Sequence, residues 1–319
     1  MWKAFPKSMI LVLENLVPVI LVMTAGWLTR ISGLMSADHW SGVERLTYYI
    51  LVPALLISTL ASVDLSQVPV GRIGLFLLLP NLLVAMLLLA LRKPLTARLG
   101  LDGAAFTSVF QGAIRWNSFV GLGLSAALFG KVGLAYCAVA LAVLVPFVNC
   151  LSIMVMTRYG SAARPFVLGP FLLTLITSPF VWSSLLGLCI NLVGLPIPTI
   201  ILSTGDILAK ATLATGLMMV GAGLEISTLQ KPNGGLIVSC FVKLIVLPLL
   251  TGAFGLWLGF SGPALAVPVI CASVPTAAAA YILAKQHGGD APLMAAIMTA
   301  QTLAAAVTLP LILGLFVRS

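Results

Sequence analysis

Long runs of apolar residues follow one another along the chain, each separated from the next by a few polar residues. A helix needs about 20 predominantly apolar residues to cross the hydrocarbon core of a bilayer. The runs that meet this requirement predict an all-α membrane protein with ten transmembrane helices in one membrane domain. The predicted spans are 9–31, 43–62, 72–91, 104–129, 133–156, 166–192, 201–224, 235–259, 263–285 and 292–316.

The composition supports lipid as the solvent of this fold. The chain is 61% hydrophobic and 8% charged, whereas a soluble domain carries about 25% charged residues. A formal net charge of +9 would suggest nucleic acid in a soluble protein, but here the basic residues lie mostly in short loops. They form no extended patch with interleaved aromatic residues, so we expect no nucleic-acid partner. Neither the five cysteines nor the two histidines have metal-binding spacing, so we expect no metal or other cofactor.

The lysine and arginine content of alternate loops predicts the orientation. One set of loops holds nine basic residues, and the other set, with both termini, holds five. Since loops rich in Lys and Arg face the cytoplasm, we expect a multi-pass protein of the cell inner membrane with both termini on the non-cytoplasmic side. The richer set comprises Arg30, Arg45, Arg92, Lys93, Arg98, Arg158, Arg164, Lys231 and Lys285.

Matching features in the two halves of the chain suggest an internal repeat. A Gly-Leu pair at 33–34 precedes a predicted span, and an Asp-Leu-Ser motif at 64–66 follows it. The same arrangement recurs 161 residues later, with Glu-Ile-Ser in place of Asp-Leu-Ser. Five spans per half give the halves opposite orientations, so we predict two inverted five-helix repeats, 1–160 and 161–319. Chance similarity between apolar helices is the alternative explanation.

Five ionisable side chains fall inside the predicted spans: Glu14, Arg115, Asp206, Lys210 and Lys243. Each needs a structural or functional reason, because a charge at the helix centre costs about 2.5–3.5 kcal/mol. Glu14 is expected near the interface, and Lys243 is expected to extend along its helix toward the cytoplasmic side. Asp206 and Lys210 are four residues apart, so they would share a helix face and form an ion pair. A role in ion coupling is the functional alternative for Glu14, Asp206 and Lys210.

Arg115 differs from the others because it lies near the middle of its span, and Asn117, Ser118, Gly121 and Gly123 follow it. Polar residues and glycines at mid-membrane predict a broken helix, whose freed backbone groups need protein or a water-filled cavity around them. Helix N-termini at such a break carry partial positive charge, and a guanidinium adds a fork that matches a carboxylate. We therefore predict a site for a small organic anion. In the alternative interpretation, the arginine binds freed carbonyl groups and holds the break together.

A second interruption is predicted at Pro275 and Thr276 in the ninth span. Adding the repeat offset to Asn117 gives position 278, close to Pro275. Proline removes a backbone donor and clashes with the preceding turn, so it marks a break. Interrupted helices in corresponding positions of two halves are the best sequence indication of a transport site.

Four stretches in a fixed order carry a resemblance to a known family. They are Asn-Leu-Val-Pro at 15–18, Arg-Trp-Asn-Ser-Phe-Val-Gly-Leu at 115–122, Leu-Val-Gly-Leu-Pro at 192–196, and the segment from Pro275 to Asp290. Together they extend over nearly the whole chain, and they resemble the auxin efflux carrier family of permeases, in its bacterial branch. More distantly, the chain is similar to bile-acid sodium symporters and sodium/proton antiporters.

The resemblance implies a scaffold domain beside a transport domain, each formed from both repeats, with broken fourth and ninth helices that cross. By that likeness, Asn117 and Pro275 map onto the crossing. Members of the family move small organic anions, including indole-acetic acid in plants and malonate-like dicarboxylates in bacteria, and their scaffold domains commonly form homodimers. The chain departs from the family at Gly123 and Ala214, where proline is common. Glycine still permits an unwound strand at the first of these positions.

The leading hypothesis is a secondary transporter that moves a small organic anion by alternating access around a site at the membrane midplane. One alternative is a sodium-coupled symporter of the bile-acid type, which the small number of mid-membrane acids disfavours. A non-transporting membrane receptor is a second alternative, which the lack of a soluble signalling domain disfavours. An enzyme is not expected, because the residues supply neither an acid–base pair nor a metal cluster.

Overall fold

The computed structural model describes residues 7–63, 70–161, 169, 172–173, 176–230 and 233–316. These residues are predominantly helical and contain no β-strand, which confirms the all-α prediction. The helices are α1 Lys7–Ile31, α2 Ala37–Leu46, α3 Val52–Ser62, α4 Val70–Ala90, α5 Arg92–Leu99, α6 Gly103–Ile114, α7 Ser118–Tyr159, α8 Pro179–Val193, α9 Thr199–Ala222, α10 Gly234–Phe241, α11 Leu247–Trp257, α12 Gly262–Ser273, α13 Ala279–His287 and α14 Ala291–Phe316.

Seven stretches of the described chain are long and apolar enough to cross a membrane. One of them, Gly103–Tyr159, has 57 residues, and it contains both the fourth and the fifth predicted spans. Two shorter apolar helices, α8 and α12, fall within the predicted sixth and ninth spans. Much of the first half of the sixth span, 166–192, lies outside the described residues. The protein is therefore a multi-pass helical membrane protein, while the number ten and the inverted repeat stay predictions.

A break in α7 falls between the predicted fourth and fifth spans, 104–129 and 133–156. The chain leaves α6 after Ile114, three residues precede α7, and α7 then continues from Ser118 to Tyr159. Gly130 is the residue of α7 that departs from helical geometry, with φ 57° and ψ −138°. Because glycine adopts positive φ without a Cβ penalty, this residue separates two helical parts of α7, 118–129 and 131–159.

Two π-helical turns, Thr47–Leu51 and Val242–Val246, join α2 to α3 and α10 to α11. A proline follows each turn by two residues, at Pro53 and Pro248. Proline cannot donate a backbone hydrogen bond and clashes with the carbonyl one turn earlier. A π-turn inserts an extra residue at such a place, which lets the helix continue. The second and eighth predicted spans are thus continuous helices with a wide turn inside.

The helices pack into two groups. The first group contains α1, α3, α8 and α9, in which α9 packs on α1 and α3, and α3 packs on α8. In the second, α12 packs on α7, α11 and α14, α6 packs on α7 and α10, and α4 packs on α7 and α11. The groups meet where α7 contacts α8 and α9, and where α1 contacts α14.

Gly221 shows how closely helices of the first group approach. A Cβ atom at this position of α9 would overlap the backbone carbonyl of Met23 on α1, and Gly26 of α1 lies in the same way against the backbone of Met218. Small residues that let helix backbones touch are typical of packing in lipid, where no hydrophobic effect drives the association.

We expect Gly221→Ala to lower the free energy of unfolding by about 1–3 kcal/mol or more, because the added methyl group forces two backbones apart. Thermal unfolding of the detergent-purified protein measures the effect. Gly223→Ala is the matched control, since a Cβ there would lie 3.4 Å from its nearest neighbours. Equal unfolding temperatures for the two variants would contradict the close contact.

Candidate functional site at the helix crossing

The two interrupted helices meet directly at their breaks. Residues 115–117 separate α6 from α7, and residues 274–278 separate α12 from α13. The backbone N–H of Asn117 donates to the carbonyl of Pro275 at 2.7 Å, and the hydroxyl of Thr276 donates to the carbonyl of Gly112 at 2.9 Å. Backbone groups freed by each break are therefore satisfied by the other one. The structure brings Asn117, Pro275 and Thr276 together at one crossing.

The Asn117 side chain caps the helix that starts after the break. Its Oδ1 accepts hydrogen bonds from the N–H groups of Phe119 and Val120, at 3.1 and 3.3 Å. An asparagine in this position satisfies N–H groups that have no intrahelical acceptor. Asn117 thus contributes its backbone to the crossing and its side chain to the start of α7, and Ser118 is the first residue of that helix.

Gln301 of α14 is a further member of the crossing that we did not predict from the sequence. Its Oε1 accepts from the N–H of Thr276 at 2.9 Å, and its Nε2 donates to the carbonyl of Gly112 at 2.8 Å. The same Nε2 lies 3.3 Å from Oγ of Ser239 on α10. An uncharged amide in the middle of an apolar span was the available signal, but the prediction considered uncharged polar residues only beside the two interruptions.

Arg115 is buried beside the crossing, with 7% of its surface exposed. Its Nη1 donates to Oδ1 of Asn149 on α7 at 2.7 Å, and its Nε has no hydrogen-bond partner among the described residues. The ion pairs formed by the described residues do not include Arg115. A permanently charged guanidinium is therefore held in the protein interior by a neutral amide, with part of its donor capacity unused.

A cavity of about 450 Å³ lies against the crossing. This volume is in the range of sites for small molecules, about 300–1,000 Å³. Its wall includes residues of both helix groups, so the cavity lies between the groups. The crossing contributes Arg115, Trp116, Asn117, Ser118 and Thr276, and aromatic side chains such as Tyr48 and Phe180 supply apolar surface.

Two helix N-termini border this cavity. Ser118 begins α7, and Ala278 and Ala279 form the start of α13. No side chain caps α13 at Ala278, although the N–H groups of Ala280 and Tyr281 donate to the carbonyls of Ala277 and Ala278. The positive ends of two helix dipoles and the Arg115 guanidinium thus border one cavity, an arrangement that favours an anion.

The predicted site residues Gly121 and Gly123 lie in α7 as packing positions. A Cβ at Gly121 would lie 2.7 Å from Cζ3 of Trp116, and one at Gly123 would lie 3.1 Å from Cδ1 of Leu217. Neither glycine lines the cavity at the crossing. Pro275 lines a second, mostly apolar cavity of about 330 Å³ beside α1 and α14.

The remaining ionisable candidates lie apart from the crossing. Glu14 and Lys210 are exposed on α1 and α9, and neither lines the cavity. The predicted pair of Asp206 with Lys210 is corrected: the Asp206 carboxylate pairs with Lys131 of α7, at 3.1 Å. Tertiary packing brings α7 to α9, which a helix-face argument within one segment does not consider.

Lys243 also differs from the prediction. Its side chain was expected to extend toward the cytoplasmic side, but it is completely buried in the π-turn between α10 and α11. The helices α6, α12 and α14 pack around this turn, so no exit to the interface is left for the ammonium group.

Comparison with known proteins adds two findings. A family model described as "Membrane transport protein" matches residues 11–313, which include every residue of the crossing. A protein of Methanothermobacter thermautotrophicus named as an uncharacterized transporter is 26% identical over 306 residues, covering 93% of this chain and 96% of that protein.

Proposed function

Because the chain belongs to the membrane transport protein family, the auxin efflux carrier-like permeases, we propose that it is a secondary transporter of small organic anions with its substrate site in the cavity at the helix crossing. Membership confirms the family that the sequence motifs indicate. It also shows a transport protein and not an enzyme.

The observation that supports an anionic substrate best is the state of Arg115. A buried guanidinium without a carboxylate partner is costly, because its desolvation is only partly repaid by the single bond to Asn149. A ligand carboxylate in the adjoining cavity would supply the missing charge and accept two parallel hydrogen bonds. The uncapped start of α13 faces the same volume and adds donors for a second oxygen pair.

A fold of two inverted repeats is part of this proposal, and contacts between corresponding residues support it. The Thr212 hydroxyl donates to the carbonyl of Leu51 at 2.8 Å, and the Thr276 hydroxyl lies 3.4 Å from the carbonyl of Arg115. Both pairs are 161 residues apart, which is the predicted repeat offset. Residues near a two-fold axis contact their own counterparts in this way.

Two further correspondences agree with ten spans arranged five and five. The helices that enter the crossing, α6 and α12, are both 12 residues long and both end in extended backbone. Gly33 and Gly194, also 161 residues apart, both have positive φ, at 75° and 67°. We assign each crossing helix to one repeat. We also propose that the protein lies in the cell inner membrane with both termini on the non-cytoplasmic side.

Alternating access is part of this proposal, and the position of the cavity between the two helix groups supports it. We assign α1, α3, α8 and α9 to the scaffold and the group that contains the crossing to the moving transport domain. A rigid-body displacement of one group past the other would open the cavity first to one side of the membrane and then to the other. A homodimer formed through the scaffold is compatible with this movement.

The sodium-coupled alternative is less well supported by the crossing itself. Sodium would need several oxygen ligands, and freed carbonyl groups are the natural supply at broken helices. Here the carbonyls of Gly112 and Pro275 already accept hydrogen bonds from Thr276, Gln301 and Asn117. The chain's own donors thus occupy positions that an ion would require.

Uptake into proteoliposomes tests the proposed function. The purified protein would be offered radiolabelled malonate, indole-acetic acid and a panel of other mono- and dicarboxylates, with sodium and proton gradients imposed separately. We expect saturable uptake of at least one carboxylate without a sodium gradient. No uptake above that of protein-free liposomes would overturn the proposal, and uptake that requires sodium would favour the symporter.

A further inference from the structure

Lys243 is a buried ionisable side chain that the proposed site does not use. It has no exposed surface, and its Nζ has no hydrogen-bond partner among the residues that the structure describes. It lies in the π-turn Val242–Val246. Such turns inside α-helices are frequently found at functional sites.

The surroundings of Lys243 offer no acid to neutralise an ammonium group. The turn packs against α6, α10, α11, α12 and α14, and these five helices contain no Asp, Glu, His, Arg or other Lys. The titratable groups nearby are thiols. Cys271 of α12 lies near the lysine, Cys137 of α7 lies near Cys271, and Cys240 lies one turn before Lys243 on α10.

Two chains of contacts connect Lys243 with the cavity. On one side, Ser239 lies one helical turn before Lys243 and contacts Gln301, which binds Thr276 in the cavity wall. On the other side, Cys137 and Trp116 both lie against the position of Gly121. Since Cys137 lies near Cys271, which is itself near the lysine, Trp116 in the cavity wall continues this second chain.

These surroundings affect the charged and the neutral form of the Lys243 side chain differently. An ammonium without a partner in a dry interior is unfavourable, whereas the neutral amine carries no such penalty. Arg115 keeps its charge, but lysine changes its protonation state readily when buried. An anion in the neighbouring cavity attracts a proton to the amine, and low dielectric surroundings strengthen that attraction.

We propose that Lys243 is the proton-coupling residue of the transporter. Its Nζ amine takes one proton from water as the anion occupies the cavity and returns that proton to water on the other side as the anion leaves. One proton therefore crosses the membrane with each anion. This inference rests on the proposed function, since it requires an anion in the cavity.

The test compares wild-type protein with Lys243→Met and Lys243→Gln in proteoliposomes whose membrane potential is clamped at zero. Radiolabelled malonate is supplied at equal concentration on both sides, with the interior one pH unit more alkaline. Coupling of one proton to one anion predicts about tenfold accumulation in the wild type, because a tenfold concentration ratio balances one pH unit. Both variants are expected to accumulate none, while still equilibrating malonate down its own gradient.

Lys93→Met is the matched control, because it removes an exposed lysine from the short helix α5 and is expected to accumulate malonate as the wild type does. Size-exclusion profiles establish whether each variant is folded. If the methionine variant is not folded, the glutamine variant is used for the test. Proton-driven accumulation in a folded Lys243 variant, or its absence in a wild type that transports malonate, would overturn this inference alone. A wild type that moves neither malonate nor any other carboxylate of the panel overturns the proposed function and this inference with it.

Discussion

Replacing Arg115 by alanine is expected to reduce carboxylate uptake by about 100-fold or more, because two charge-assisted hydrogen bonds together contribute roughly 3 kcal/mol. The protein should still insert and fold, since removal of a buried charge also removes its desolvation cost. Initial rates of radiolabelled uptake into proteoliposomes measure the effect. Arg115→Lys keeps the charge but loses the planar fork, so an intermediate rate is expected.

The control for this experiment is Arg98→Ala, which removes an exposed arginine from the last turn of α5. Its uptake should equal that of the wild type. Wild-type uptake by a folded Arg115→Ala protein would show that the guanidinium only holds the break together. The role of Arg115 would then be limited to its hydrogen bond with Asn149.

Gln301→Leu is expected to lower the free energy of unfolding by about 2–4 kcal/mol, since it leaves buried polar groups without partners at about 1–3 kcal/mol each. The N–H of Thr276 loses its acceptor, and Ser239 loses its contact with the amide. Uptake should fall as well, because the amide bridge between Thr276 of one break and Gly112 of the other is lost. Thermal unfolding and initial uptake rates measure the two effects separately.

Gln111→Leu provides a matched control from the same crossing region. Gln111 is also completely buried, but its Oε1 has no partner among the described residues and its Nε2 contacts only the sulfur of Met156, at 3.7 Å. Its replacement by leucine should leave stability unchanged or raise it. Equal destabilisation by both substitutions would contradict the special role of Gln301.

The site was predictable where unusual residues interrupt an apolar run. Arg115 and Asn117 stand out in the middle of a span, and a proline near the repeat offset identified the second break at Pro275. Both signals are local, because the cost of a polar group or a missing N–H in lipid does not depend on distant contacts. The crossing of the two breaks was implied by the family resemblance, and the hydrogen bond between Asn117 and Pro275 is seen only in the structure.

Other features depend on tertiary packing, which one segment does not reveal. The partner of Asp206 is Lys131 on a different helix, and burial of Lys243 depends on the helices around its π-turn. Gln301 carries no charge, so its role at the crossing becomes visible only from the carbonyl and N–H groups to which it is hydrogen-bonded. The break in α7 at Gly130 lies between two predicted spans, but the sequence signals its positive φ no more strongly than that of the many other glycines.

The central claim is that an anion occupies the cavity at the crossing and binds through Arg115. Ligand-induced stabilisation of the purified protein tests it most directly, because a ligand that binds the folded state raises the unfolding temperature. The carboxylate that is taken up fastest would be compared with its neutral amide, on wild-type protein and on Arg115→Ala. We predict that the carboxylate stabilises the wild type, that the amide does not, and that neither stabilises the variant. Equal stabilisation by acid and amide, or by the acid in both proteins, would contradict the claim.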